Sequence, residues 1–176
     1  MVNSLSDSGV DADGSSARTE RAWRALNSVE DPELPGLLIT DLGIIRHVAA
    51  NIDGVLEVGL SPTYSGCPAS NVIRTSVVDA LDKANIGRFR VQTILAPAWS
   101  SDWITDQGRR KLLELGIVSP DRTTALTAAR RALKPIACPR CDSLDTECIS
   151  EFGSTPCKAL HRCRSCLEPF EYFKCI

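Results

Sequence analysis

Between Pro68 and Ala84 the apolar residues Ile73, Val77, Ala80, Leu81 and Ala84 fall on one helical face, and Gly87 closes the segment. This predicts a helix whose stripe covers a sheet. Upstream, Ile44 to Ala50 and Val55 to Leu60 read as a β-hairpin about a turn at Asn51-Ile52-Asp53-Gly54, with Leu56, Val58 and Leu60 on one face. Phe89 to Leu95 supplies a third strand, stopped by Pro97. A short helix is expected from Thr19, with Trp23 and Leu26 on one face, ended by the Asp31-Pro32 and Leu34-Pro35 steps. Another is expected from a cap at Ser100 or Ser101 through Trp103, Ile104, Leu112, Leu113 and Leu115 to Gly116.

These elements predict an α+β protein: a small α/β sandwich, its short mixed sheet covered by helices, followed by a small four-cysteine, zinc-ribbon-like domain. Residues 1–18 are polar with almost nothing to bury and read as a disordered tail. Residues 19–119 form the α/β domain, 120–134 an Ala-rich, basic linker or helix, and 135–176 the ribbon.

Of the eight cysteines, all but Cys67 lie from Cys138 onward. Cys138-Pro-Arg-Cys141 and Cys163-Arg-Ser-Cys166 are two paired knuckles, the spacing that lets two tight turns each give two thiolates to a tetrahedral metal. A tail this short cannot build enough core without such a site. The competing reading, disulfides, needs an oxidising compartment, and the N-terminus lacks the apolar stretch of a secretory signal, so the chain is expected in the cytoplasm. Zinc is the expected metal, with iron as the alternative, since four thiolates accept either. Cys148, Cys157 and Cys175 are surplus, and Cys157 with Cys175 could supply a second ligand set. His161, two residues before Cys163, could replace a thiolate, but the second complete knuckle makes that unnecessary. His47 reads as a strand-face residue.

Cys67 sits in Ser61-Pro-Thr-Tyr-Ser-Gly-Cys-Pro68, where strand gives way to helix. With Pro68 at the first helical position it would be the N-cap, and the helix N-terminus would lower its thiol pKa, as suits a metal ligand or transfer thiol. The plainer alternative is a small buried hydrophobe. Asp31, Glu33 and Asp41 cluster in one loop and invite a carboxylate site, although aspartates before Pro or a strand commonly serve turns. Ser61, Thr63 and Ser65 beside Gly66 could form an anion nest.

Asp31-Pro-Glu33, Thr40-Asp-Leu-Gly43-Ile, Pro62-Thr-Tyr-Ser-Gly-Cys-Pro68, Trp99-Ser-Ser-Asp-Trp103 and Gly108-Arg-Arg-Lys-Leu112 stand in this chain together with a distinctive tail. That tail runs Ser150-Glu-Phe-Gly-Ser-Thr-Pro-Cys-Lys-Ala-Leu160, then Cys163, Glu168-Pro-Phe170 and Phe173-Lys-Cys-Ile176. From about residue 19 to the end the chain resembles the PaaD family, the small accessory component encoded with the bacterial phenylacetyl-CoA epoxidase (ring 1,2-oxygenase) system. Its DPE, DLG and SGCP elements are shared with the α/β domain of iron–sulfur assembly factors. The resemblance implies an accessory, maturation-type protein that assists iron or iron–sulfur cluster delivery and does not itself catalyse the epoxidation. It implies the epoxidase subunits as partners: the catalytic subunit, similar to diiron-carboxylate proteins, or the reductase subunit with its ferredoxin-type cluster. It also makes Cys67 the candidate transfer thiol, with Asp31, Glu33, Asp41 and Thr63 as its shell. One departure stands at His161, where the family pattern has an aromatic Tyr, and implies a packing change.

Three function classes follow: maturation factor, structural or docking subunit, and nucleic-acid-binding ribbon. The last is disfavoured, because the net charge is −2 and Lys and Arg only balance Asp and Glu across the tail. Arg109-Arg110-Lys111 and Arg130-Arg131 suit docking of a protein partner better. No window approaches the apolar length of a membrane span. No acid, base and nucleophile set points to an enzyme.

Overall fold

In the computed structural model, which describes residues 12–64, 66–122 and 135–174, the α/β part runs α1 (Ala12–Leu26), β1 (Glu30–Asp31), β2 (Leu34–Leu38), β3 (Ile45–Ala50), β4 (Leu56–Leu60), α2 (Ser70–Lys83) and β5 (Phe89–Thr93). A 3-10 turn (Ser101–Trp103), α3 (Asp106–Glu114) and β6 (Ile117–Val118) follow, and the ribbon adds β7 (Thr146–Ser150), β8 (Lys158–Cys163) and β9 (Pro169–Phe173). Cys175, most of the expected tail and most of the 120–134 linker lie outside the described residues.

The expected hairpin forms. β3 and β4 pair antiparallel with Val48 opposite Val58, and the turn is held by Asn51, whose Oδ1 accepts the N–H groups of Asp53 (3.0 Å) and Val55 (2.9 Å). β5 joins β4 in parallel, with α2 as the crossover that parallel pairing demands. The stripe Ile73, Val77 and Leu81 is buried against the sheet face that carries Leu56 and Val58. A fully buried side chain of this kind stabilises the fold by roughly 1.5–3 kcal/mol.

Two expectations shift. The first helix begins at Ala12, inside the stretch read as tail. Arg18 explains the extension: its guanidinium donates to the carbonyls of Ile86 (2.7 Å), Gly54 (2.6 Å) and Arg88, long-range bonds that a search for apolar residues cannot see. The expected helix from Ser100 is broken in two. Ser100 caps only the 3-10 turn, Ile104 is extended, and Thr105 opens α3 by accepting the Gly108 N–H at 2.9 Å.

That break brings Trp103 onto Gly43. Gly43 has φ +67°, and a Cβ there would meet the Trp103 backbone oxygen at 2.6 Å. Gly43→Ala should therefore destabilise the α/β domain by about 2 kcal/mol or more, read as a lowered urea midpoint with unchanged slope.

The ribbon sheet has the order β6-β9-β8-β7, so the last strand of the α/β domain extends it, pairing in parallel with β9. Phe173 of β9 is buried in the α/β core, its ring centroid 5.8 Å from that of Trp99, and Trp99 Nε1 donates to the Leu42 carbonyl at 2.9 Å. Cys157, just before β8, is buried in the same core. Phe152, by contrast, is exposed beneath the Lys174 ammonium. The architecture is the expected α+β pairing of a mixed-sheet sandwich with a four-cysteine ribbon, and the ribbon sends Cys157 and Phe173 into the α/β core. No helix among the described residues is long and apolar enough to cross a membrane.

Candidate metal centre and thiol site

Each knuckle of the ribbon is a tight turn. The Cys138 N–H donates to the Ser143 carbonyl (2.9 Å) and the Cys163 N–H to the Glu168 carbonyl (3.0 Å). The residue after each second cysteine, Asp142 or Leu167, has positive φ, which turns the chain back. The four sulfurs of Cys138, Cys141, Cys163 and Cys166 consequently lie within 4.8 Å of one another, with Cys138–Cys166 at 3.7 Å and Cys141–Cys163 at 3.6 Å. A tetrahedron of sulfurs at the usual zinc–thiolate bond length has edges of about 3.8 Å, so this donor set fits one four-coordinate metal. Cys138 and Cys163 are buried and their partners face solvent.

Backbone N–H groups already favour thiolate in this set. Those of Cys166 and Ser165 hold the Cys163 thiol down to about 6, the Cys166 N–H donating to its Sγ at 3.4 Å. At Cys141 the Ser143 N–H favours the thiolate, but hydrogen bonds shared with the neighbouring sulfurs outweigh it and push the thiol up to about 12. Cys166 is raised as well, so without a metal the crowded sulfurs titrate as a coupled group and not as independent thiols.

The second site lies where the domains meet. Cys67 follows β4 through the loop from Ser61, and its N–H donates to the Tyr64 carbonyl at 3.2 Å. It is not the N-cap. Ala69 holds that position, without a side-chain cap, and Cys67 sits in the turn before it with its carbonyl accepting the Ser70 N–H. Nor is its thiol pKa lowered. Burial pushes it up, the Ala69 N–H and Ser70 hydroxyl counter this, and the Glu33 and Asp31 carboxylates raise it again. The cavity beside it, about 20 Å³, is lined by Asp31, Glu33, Thr63, Cys67, Ser70 and Cys157, with Leu34, Leu42, Ile44, Ile73 and Phe173 among its apolar walls. Asp31 is buried, which raises its carboxyl pKa although it accepts the Glu33 N–H at 2.9 Å.

Asp31, Glu33 and Thr63 are thus brought to Cys67, and Asp41 is not among the residues lining that cavity. Asp41 is buried and pairs with Lys111 Nζ at 2.7 Å, while its Oδ2 accepts the Leu38 N–H. The partner comes from α3, which the loop sequence alone does not reveal. Of the residues expected to form an anion nest, Ser65 lies outside the described residues, and Ser61 is buried with its N–H on the Ile44 carbonyl. His47 lies over Gly59 on the hairpin, a strand-face residue. His161 is buried against Phe170 (5.6 Å) and Tyr172 (5.7 Å) and stands apart from the four sulfurs, which makes it a packing residue. Cys148 is exposed beside Glu151.

Sequence reasoning misses Cys157 and Ser70 as members of the Cys67 site. The one available signal for Cys157 is its place in the distinctive Ser154-Thr-Pro-Cys-Lys158 segment, outside both knuckles.

An α/β domain with a four-cysteine β-ribbon docked beside Cys67 is the class that fold and sites define. Residues 19–92 match the family described as iron-sulfur cluster assembly protein, and residues 122–174 match the PaaD zinc beta ribbon domain. An Escherichia coli (strain K12) protein provisionally named as a component of the 1,2-phenylacetyl-CoA epoxidase is 46% identical over 155 residues, covering 88% of this chain and 91% of that protein. The chain therefore belongs to the PaaD family. A Bacillus subtilis (strain 168) protein named Fe-S protein maturation auxiliary factor is 33% identical over 87 residues, 49% of this chain and 84% of its own length. The crystal structure of a domain of unknown function, DUF59, from Bacillus anthracis superposes with a TM-score of 0.51 at 25% identity, covering 56% of this chain and 94% of that one.

Proposed function

We propose that this protein is an accessory maturation factor for the phenylacetyl-CoA epoxidase, in which the α/β domain passes iron or an iron–sulfur cluster to the oxygenase through Cys67 and the ribbon closes around one structural zinc ion. The observation that carries the reading is the placement of Cys67, half-buried at a small acidic cavity, in a domain similar to named Fe-S maturation factors. Burial keeps this thiol protonated at rest, so it is poorly suited to attack a substrate carbon. An incoming cation would displace the proton, because metal binding and thiol deprotonation are linked. The ribbon's four sulfurs close their coordination sphere, which suits a structural ion and not cargo.

The expected client is either the diiron-carboxylate catalytic subunit or the cluster-bearing reductase. Cells carrying Cys67→Ser should make soluble oxygenase that is deficient in metal or cluster, measured by metal analysis of both purified subunits. The fold should survive, since the two side chains are close in size and Cys67 caps no helix. Purified, already metallated oxygenase should turn over without this protein. Full metallation in Cys67→Ser cells would reject the transfer role and favour a docking subunit.

A further inference from the structure

The ribbon closes one side of Cys67. The residues lining the cavity at this thiol include two from the ribbon, Cys157 and Phe173, both buried in the α/β core. We propose that the ribbon is a displaceable cover, which lifts from the α/β domain as a folded unit and bares Cys67 to the client. This rests on the maturation reading above for what the bared thiol does, and on the packing alone for the cover.

Space, linkage and cohesion support it. With the ribbon seated, the cavity of about 20 Å³ has room for about one water molecule, so neither a cluster nor an ion still held by its carrier's ligands fits there beside the sulfur. The groups that act on that sulfur, the Ser70 hydroxyl and the Glu33 and Asp31 carboxylates, line this same closed side. The closing residues move as one. Lys158 stands opposite Phe173 in the β8–β9 register, and the Lys174 N–H donates to the Cys157 carbonyl at 2.9 Å, so Cys157 and Phe173 belong to one hydrogen-bonded unit. The seat of that unit is small. Among the described residues, β6 offers β9 Ile117 and Val118, and the ribbon side chains buried in the α/β core are Phe173, whose ring meets Trp99, and Cys157. Elements held by few buried apolar contacts are the ones that open locally. All four clustered sulfurs belong to the ribbon, so lifting leaves that centre whole.

The test labels the zinc-loaded full chain anaerobically with N-ethylmaleimide, follows each cysteine by peptide mass spectrometry, and monitors zinc retention. In wild type the exposed Cys148 should react first, and Cys67 and Cys157 should react later, reaching one common rate limit as reagent is raised, because both wait for the same opening. Phe173→Ala should retain zinc and speed both by ~10-fold or more while Cys148 is unchanged, since cutting a buried aromatic back to alanine removes most of what holds the seat. Cys67 reacting as fast as Cys148 in wild type, or unchanged in zinc-retaining Phe173→Ala, would overturn the proposal. Zinc loss that precedes labelling of Cys67 and Cys157 would also do so, since the ribbon would then be unfolding and not lifting. Should Phe173→Ala itself release zinc, the wild-type kinetics decide: one shared limit supports the cover, two unrelated rates reject it. Normal oxygenase metallation in Cys67→Ser cells together with the shared limit would reject the maturation reading and keep the cover. Independent labelling together with deficient metallation would reject the cover and keep the transfer role.

Discussion

Chelating the ribbon metal, or replacing Cys138 or Cys163 by Ser, should unfold residues 135–174. Among the residues buried in the ribbon, Phe173 and Cys157 pack into the α/β core, which leaves little more than Ala159, His161, Phe170 and the sulfurs of Cys138 and Cys163 to hold the knuckles. The β7-β8-β9 sheet is small, and sheets of this size need a packed face to persist. Metal binding at four thiolates contributes on the order of 10–16 kcal/mol in comparable small domains, far more than this core can. Because β6 pairs with β9 and Phe173 contacts Trp99, the damage should not stop at the boundary. The α/β domain should stay folded on its own sheet but lose protection around Trp99, Leu42 and the Cys67 loop. Hydrogen exchange resolved by peptide, before and after chelation, reads both effects, and a ribbon that keeps its protection without metal would refute the claim.

What the sequence reveals and what it conceals divide along the range of the interactions. The Ile73–Val77–Leu81 stripe, the Asn51–Gly54 turn and the two knuckles are local patterns, and each forms as its spacing implies. The four-thiolate centre is legible because each half of it is one tight turn. The start of α2 is not, because Pro68 permits a helix start without enforcing one, and the chain makes a further turn before Ser70. Asp41 groups with Asp31 and Glu33 in sequence because they are neighbours there, but Lys111 from α3 holds it elsewhere. The meeting of Cys67 with Cys157 depends on how two domains dock, and no periodicity encodes that. It is carried by Phe173 and β6, whose hydrophobic character alone specifies no partner.

Glu171→Ala should cost about 2–3 kcal/mol, somewhat less than the loss of a fully buried partner, because Lys158 is left buried and unpaired while Glu171 itself is partly exposed. Lys158 is 3% exposed, and its Nζ sits 2.8 Å from Glu171 Oε2, while Oε1 accepts the Ser154 N–H at 2.6 Å. Burial disfavours the charge on Glu171, but the Lys158 ammonium and the Ser154 N–H outweigh it and hold the carboxyl below its ordinary value of 4.5. A carboxyl depressed on folding contributes stability that is complete above its unfolded value and is lost as pH falls through the folded one. Wild-type ribbon should therefore weaken below about pH 4.5 through this pair, a component absent from Glu171→Ala. The pair fixes the Ser154–Lys158 loop from which Cys157 enters the cavity, and the variant should leave the four ribbon sulfurs in place. Restoring neutrality with Lys158→Met and Glu171→Gln together should recover most of the stability, since a buried pair replaced by neutral groups of similar volume is often tolerated. Urea unfolding of the single and double variants at pH 7 measures this, and a loss under about 1 kcal/mol in Glu171→Ala would mean that the Lys158 ammonium reaches water when its partner is gone.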